Sequence, residues 1–247
     1  MDFRIVGKRA VVSASSGGLG FATAAALVAE GCEVVISGRD GDRLAAAAER
    51  LPGVNAIVSD VSTVAGAQRF MDESLTVLGG VDILITNAGG PPKGLARELK
   101  PDALNEAMEL TLSSAVTMCG AVIDEMVGQG WGRIVAITSQ SVRQPMANMV
   151  LSNSTRAAVT SYMKTLALEV AGDGVTVNTV QPGSHSTDRL KQLAGAAYDG
   201  LGATIPVGYV GDPADFGAVV AFVCSQQARF ITGTSIPVAG GTIGGLM

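Results

Sequence analysis

Aromatic residues make up only 4 % of this chain, and histidine occurs once, at His185. A core so poor in rings must be filled by aliphatic side chains and alanine, in keeping with 47 % hydrophobic residues and 32 glycines. Small residues let helices and strands approach closely, which suits layered α/β packing. Cysteine is scarce as well. Cys32, Cys119 and Cys224 are odd in number and far apart; they fit no zinc spacing and read as reduced, mostly buried thiols of a cytoplasmic protein, so no metal is expected. Basic residues are outnumbered and the formal charge is -5, which argues against a nucleic-acid partner. No apolar run approaches ~18–20 residues, so no membrane span is expected. The opening Met1-Asp2-Phe3-Arg4-Ile5-Val6-Gly7-Lys8 has no apolar signal core.

What is present is a regular alternation. Short β-branched runs stand at 11–12, 33–36, 54–58, 83–85, 133–137, 175–178 and 235–238. Ala/Leu-rich helical stretches lie near 18–30, 41–50, 63–78, 101–128, 153–171 and 213–226. Strands apolar on both faces belong in a parallel sheet covered by helices on both sides. The pattern predicts an α/β fold: one Rossmann-type doubly wound sheet of about seven strands, in a single dinucleotide-binding domain over 1–247. Asp212-Pro213 reads as a helix start, with the Asp as cap and the Pro in the first turn. The segment 184–211 shows no clear period and is expected to be a substrate loop or lid.

The first strand runs into Ser13-Ala14-Ser15-Ser16-Gly17-Gly18-Leu19-Gly20, and a helix follows. Such a turn aims backbone N–H groups at a pyrophosphate, and the helix N-terminus favours its negative charge. From this turn onward the chain resembles the short-chain dehydrogenases/reductases. Their Thr-Gly-xxx-Gly-x-Gly pattern is met by Ser13, Ala14, Gly18 and Gly20. Ala14 departs from it; if that position needs positive φ, the methyl costs on the order of 1 kcal/mol. Asp60-Val61 matches the place where the family holds adenine. Thr86-Asn87-Ala88-Gly89 resembles Asn-Asn-Ala-Gly after the fourth strand. Gln181-Pro182-Gly183, with Thr187 further on, resembles the loop that touches the nicotinamide carboxamide, and Val238-Ala239-Gly240-Gly241 resembles the family's tail. Ile205-Pro206-Val207-Gly208 resembles β-ketoacyl-carrier-protein reductases in particular. The resemblance implies that Ser13, Ser15, Ser16, Gly18, Leu19, Gly20, Asp60, Val61, Asn87, Ala88, Gly89, Pro182, Gly183 and Thr187 bind the cofactor.

An acidic residue at the end of the second strand would hold a ribose 2′-hydroxyl and repel a 2′-phosphate. Here that place is Gly38, followed by Arg39, whose guanidinium can pair with a 2′-phosphate. Ser16 adds a hydroxyl donor. NADP(H) is therefore expected over NAD(H).

The catalytic set departs from the family. The resemblance implies Ser139 as the family's Ser, but the Tyr position holds Ser152, the Lys position Arg156, and the supporting Asn appears as Thr111. Tyr162 and Lys164 do not restore the motif, because two residues apart do not share a helix face. A Tyr can be tuned to give a proton to an alkoxide; a Ser hydroxyl is far less acidic. Arg156 stays protonated, so it stabilises charge without relaying a proton. Three readings are open. Another acid serves, for which His185 is the candidate. Or Ser139, Ser152 and Arg156 form an anion site for an unusual substrate, with water as proton source. Or the chain is a catalytically silent cofactor-binding homologue, a sensor or oligomer partner. The leading expectation is an NADP(H)-dependent oxidoreductase acting on a ketone, alcohol or β-ketoacyl-type small-molecule substrate. Gly89–Gly94 reads as a rigid turn bordering the cleft, Arg143 and Gln144 as solvated loop polars or else as pocket lining just beyond Ser139, and Met108, Met118, Met126, Met146, Met149 and Met163 as core or subunit-contact filler. In the family the two long middle helices pair between subunits, which implies a homotetramer or dimer.

Overall fold

The computed structural model describes residues 1–246, so the last residue of the expected 1–247 domain, Met247, lies outside the described residues. Seven strands form one sheet: β1 (Arg9–Val12), β2 (Glu33–Gly38), β3 (Asn55–Val58), β4 (Ile83–Thr86), β5 (Gly132–Ile137), β6 (Val175–Pro182) and β7 (Ser235–Val238). Their order is β3-β2-β1-β4-β5-β6-β7, and every neighbouring pair is parallel. The chain reverses direction across the sheet between β1 and β4, the switch point where such sheets open a crevice beyond their carboxyl ends.

Side chains alternate along each strand, and the inner strands are buried on both faces, while the edge strands β3 and β7 are partly exposed. Val11, Val35, Leu84, Ile134 and Val177 face one core, with Phe70, Met118 and Leu166. Val12, Val34, Ile36, Ile85 and Val135 face the other, with Leu27, Leu44, Phe216 and Val220. The first core lies under α3 (Val64–Leu78), α5 (Ser114–Gly120) and α7 (Val150–Val170); the second lies under α1 (Gly18–Ala29), α2 (Gly41–Glu49) and α9 (Pro213–Cys224). Met118, Met126 and Met163 are core, as their type suggested. The three cysteines are buried and free, and burial pushes the thiols of Cys32 and Cys119 up to about 12.

The structure departs from the sequence pattern in five places. The stretch 101–128 is not one helix: α4 (Pro101–Met108) passes through a π-helical turn, Glu109–Ser113, into α5, and α6 (Ile123–Gly128) follows. Thr111, Ser114 and Thr117 each bond a carbonyl four residues back, at 2.7–2.9 Å, a habit of Ser and Thr that bends helices. The helix expected from 153 begins at Val150, and β6 runs on from Asn178 to Pro182. The segment 184–211 holds α8 (Asp188–Ala194), whose seven residues are too few for a visible period. Arg143 is not solvated: its Nε donates to Gln181 at 2.8 Å and its NH2 to the Ser235 carbonyl at 2.7 Å. Among the described residues no helix is long and apolar enough to cross a membrane, and none of the His, Cys, Asp and Glu groups could hold a metal ion.

Candidate functional site

Two clefts open above the carboxyl ends of the strands, about 520 and 540 Å³ in volume. Ala14, Ser16, Arg39, Gly89 and Gly90 line both, so they form one trough across the switch point. Asp60 and Val61 lie at one end. Ser139, Ser152, Arg156, Pro182, Gly183 and Thr187 lie along the other.

The turn between β1 and α1 is built from hydroxyls. Ser15 is fully buried; its Oγ donates to the Val12 carbonyl at 2.7 Å and accepts from Ser37 N–H at 3.1 Å. Ser37 in turn accepts from Ala14 N–H at 3.0 Å. Ser13 Oγ binds both the carbonyl and the N–H of Asn87, at 2.7 and 2.8 Å, and Asn87 Nδ2 donates to the Ala14 carbonyl at 3.0 Å. Ser13 and Ser15 thus shape the turn from behind, while Ala14, Ser16, Gly17, Gly18 and Leu19 line the trough. Gly20 is behind it too. A Cβ there would lie 2.6 Å from the Ala14 carbonyl oxygen and 2.8 Å from Asn87 Nδ2, so only glycine allows this approach. Ala14 sits at φ +47, the left-handed region its methyl disfavours, and the Ser37 and Asn87 bonds hold it there.

The free ends of the helices differ. Asp40, Thr63, Thr187 and Asp212 cap α2, α3, α8 and α9 with their own side chains. Gly17, at the cap of α1, offers no side-chain acceptor, so the first N–H groups of α1 are left for a ligand in the trough.

At the end of β2, a Cβ on Gly38 would meet Ser16 Cβ and Oγ at 2.9 Å. Ser16 occupies the space a side chain at 38 would need. Exposed Arg39 lines the trough beside it, and so does Arg43, from the first turn of α2. The sequence reading missed Arg43; its place three residues after the capping Asp40 was the available signal.

At the other end, the Arg156 NH1 group donates to the Ile137 and Thr138 carbonyls at 2.9 and 3.1 Å. Its NH2 reaches the Ala88 carbonyl at 3.5 Å. Burial, reinforced by the nearby Arg189 charge, pushes the guanidinium down to about 10, which leaves it charged at neutral pH. Ser152 is only 5 % exposed, yet it lines the trough. Ser139 Oγ accepts from Ser141 N–H at 3.1 Å. Behind Arg156 lies a small cavity of about 20 Å³, bounded also by Asn87, Thr111 and Ser114, the size of one water among polar neighbours. Tyr162 packs against the core and Lys164 bonds the Gly233 carbonyl at 2.8 Å.

His185 lines the trough but is only 6 % exposed. Its ring stands edge-on to Phe216, 5.2 Å between centroids, and Nδ1 lies 3.3 Å from the Gly183 carbonyl. Burial keeps its pKa below the ordinary value, against the opposing pull of the Gly183 carbonyl, Asp212 and Asp215. A neutral imidazole at pH 7 is a poor proton donor. Met146 and Met149, read as filler, line the trough. The segment 184–211 reaches over it. Arg189 NH2 donates to the Gly90 and Pro91 carbonyls at 3.3 and 3.1 Å, and Lys93 Nζ donates back to the Leu193 carbonyl at 2.8 Å. Arg189 was not foreseen, because the helix that carries it was not.

Comparisons with known proteins agree with this architecture. A family model described as enoyl-(acyl carrier protein) reductase matches residues 13–242. The 3-oxoacyl-[acyl-carrier-protein] reductase of Salmonella typhimurium is 32 % identical over 237 residues, covering 95 % of this chain and 97 % of the relative. The bovine dehydrogenase/reductase SDR family member 4 is 31 % identical over 243 residues, covering 96 % of this chain and 87 % of the relative. Among solved structures, L-sorbose reductase of Gluconobacter frateurii, complexed with NADPH and L-sorbose, superposes with a TM-score of 0.92 at 30 % identity over 100 % of both chains. Fold, trough and relatives converge: the chain belongs to the short-chain dehydrogenase/reductase family.

Proposed function

We propose that the protein is an NADP(H)-dependent oxidoreductase of ketones or alcohols, with an active site that lacks the family's Tyr and Lys. One observation carries the cofactor reading: Ser16 fills the place of an acidic side chain at Gly38, while Arg39 and Arg43 flank the same wall. Those guanidiniums suit a 2′-phosphate. Pyrophosphate fits the uncapped N-terminus of α1, adenine the end beside Asp60 and Val61, and the nicotinamide end the wall of Ala88, Gly89, Pro182, Gly183 and Thr187.

When bound, the nicotinamide supplies or accepts a hydride. The chain's residues supply the rest. Arg156, charged and turned toward the trough, stabilises negative charge developing on a carbonyl oxygen. Ser139 and Ser152 place hydroxyls on the same wall. With His185 neutral and pinned to Gly183, the proton comes from water through a hydroxyl, Ser152 being the candidate. Thr111 and Arg156 bound the small cavity, which is large enough to hold such a water. The segment 184–211 acts as the lid. The relatives are named as reductases and dehydrogenases, which gives no support to the silent-homologue reading.

The test is a calorimetric titration of both dinucleotides into the pure protein, followed by hydride-transfer assays with ketones and β-ketoacyl thioesters. NADPH is expected to bind at least tenfold tighter than NADH. Equal or tighter NADH binding defeats the cofactor assignment.

A further inference from the structure

Arg156 from α7 and Arg189 from α8 reach the same loop, near enough for the Arg189 charge to act on Arg156. One meets the Ala88 carbonyl through NH2 and the other meets Gly90 and Pro91 through NH2. Both line the 520 Å³ cleft together with Ser139 and Ser152. Among the described residues neither forms an ion pair: the four that occur join Lys8, Arg9 and Arg97 to Asp82, Glu125 and Glu98. Two guanidiniums held this close repel each other, and an arrangement that leaves both unneutralised suits an anion between them.

The other charged groups facing this end narrow the anion's chemistry. Asp188 lines the same cleft. Lys93 is turned to the Leu193 carbonyl at 2.8 Å. His185 is neutral at pH 7. Two guanidiniums and one carboxylate line this end, a net charge of +1, which matches a single negative charge better than a phosphate dianion. The pair Arg39 and Arg43 lines the same cleft beside Gly17 and Ser16, so it serves the dinucleotide, and the Arg156–Arg189 pair remains for the second ligand.

We propose that this end of the trough binds a small carbonyl compound bearing its own carboxylate, an oxo acid or the corresponding hydroxy acid, with Arg156 and Arg189 gripping the carboxylate and Ser152 beside the carbonyl. The proposal rests on the oxidoreductase reading for the identity of the reacting group, but the anion site is testable without turnover. A planar carboxylate takes paired N–H donors from a guanidinium fork, which a lysine ammonium cannot reproduce.

The experiment compares oxamate, a non-reducible monoanion resembling an oxo acid, with oxamide, its neutral counterpart, by calorimetry on the full chain saturated with NADPH in phosphate-free buffer. Oxamate is expected to bind at least tenfold tighter. Arg189→Ala, an exposed lid position, removes that preference. Arg156→Lys, chosen because truncation would strand the Ile137 and Thr138 carbonyls, weakens oxamate several-fold. The affinity for NADPH, measured in Arg189→Ala, stays within threefold of the native value. Equal binding of oxamate and oxamide, a preference that survives both substitutions, or inorganic phosphate outcompeting oxamate overturns the proposal. Should NADPH itself fail to bind, the nucleotide reading falls, and the same oxamate comparison on the protein alone decides the anion site by the same criteria.

Discussion

The two ends of the sheet treat charge in opposite ways. At the amino ends of the strands, every buried charge is answered. Asp82, just before β4, accepts Nε of Arg9 at 3.0 Å and the Arg9 N–H at 2.9 Å, with Lys8 at 3.8 Å. Burial alone would raise its pKa; the bonds and charges of Arg9 and Lys8 more than reverse that and hold it below the ordinary carboxylate value. Arg133, 1 % exposed, donates to the Gly132 and Gly174 carbonyls at 2.8 and 3.3 Å and stacks over Trp131, with Lys8 on the same ring. At the carboxyl ends, Arg39, Arg43, Arg156 and Arg189 line the trough without ion pairs among the described residues. One end closes its charges into ion pairs and a cation–π stack; at the other, Arg156 and Arg189 bond only backbone carbonyls and, among the described residues, meet no carboxylate within ion-pair distance.

That contrast can be broken at several points. Asp82→Ala removes the carboxylate that holds Arg9 and Lys8 and is expected to cost about 3 kcal/mol, the low end for a buried pair because Arg9 is partly exposed and keeps Glu125. Urea denaturation reads the loss, and NADPH affinity should not move. At the opposite end, Arg43→Ala is expected to weaken NADPH about tenfold, roughly 1.4 kcal/mol, and to leave NADH affinity and the denaturation midpoint unchanged. A fall in stability instead would show that the upper charges hold structure as well. Ala14→Gly relieves a left-handed alanine worth ~1–2 kcal/mol and gives back ~0.5–1 kcal/mol of chain entropy. A net gain of about 0.5 kcal/mol is expected in thermal unfolding; a loss would mean the methyl packs usefully.

The smallest effect is a pH slope. His185 has a lower pKa folded than unfolded, so below pH ~6.5 the unfolded chain takes up the proton first. Stability is therefore complete above that pH and is lost as pH falls below it, until the folded histidine also protonates. His185→Gln should flatten this slope, seen as a smaller shift of the unfolding midpoint between pH 7.5 and 5.5.

The sheet was legible because its strands are apolar on both faces and punctuated by glycine, so alternation alone gave the class and strand number. The glycine-rich turn was legible because a left-handed φ favours glycine at 18 and close backbone approach demands it at 20. The helix break at Glu109–Ser113 was not, since Thr111, Ser114 and Thr117 bend the chain through bonds that residue type permits without requiring. Nor did the pattern separate Ser16, which lines the trough, from Ser13 and Ser15, which brace it; three serines in one turn differ only in direction. Arg43 and Arg189 escaped because they act from helix starts that bring them over the trough in space and not in sequence.

The contact between Ser16 and Gly38 bears on how this protein could be re-engineered. Placing an aspartate at 38, the obvious route to a different dinucleotide, would drive its Cβ into Ser16 at 2.9 Å. The order of changes is therefore constrained: the serine must first give way to glycine, and only then does the strand end have room for an acid. The two positions behave as one specificity element, and a library that varies position 38 alone would score it as intolerant.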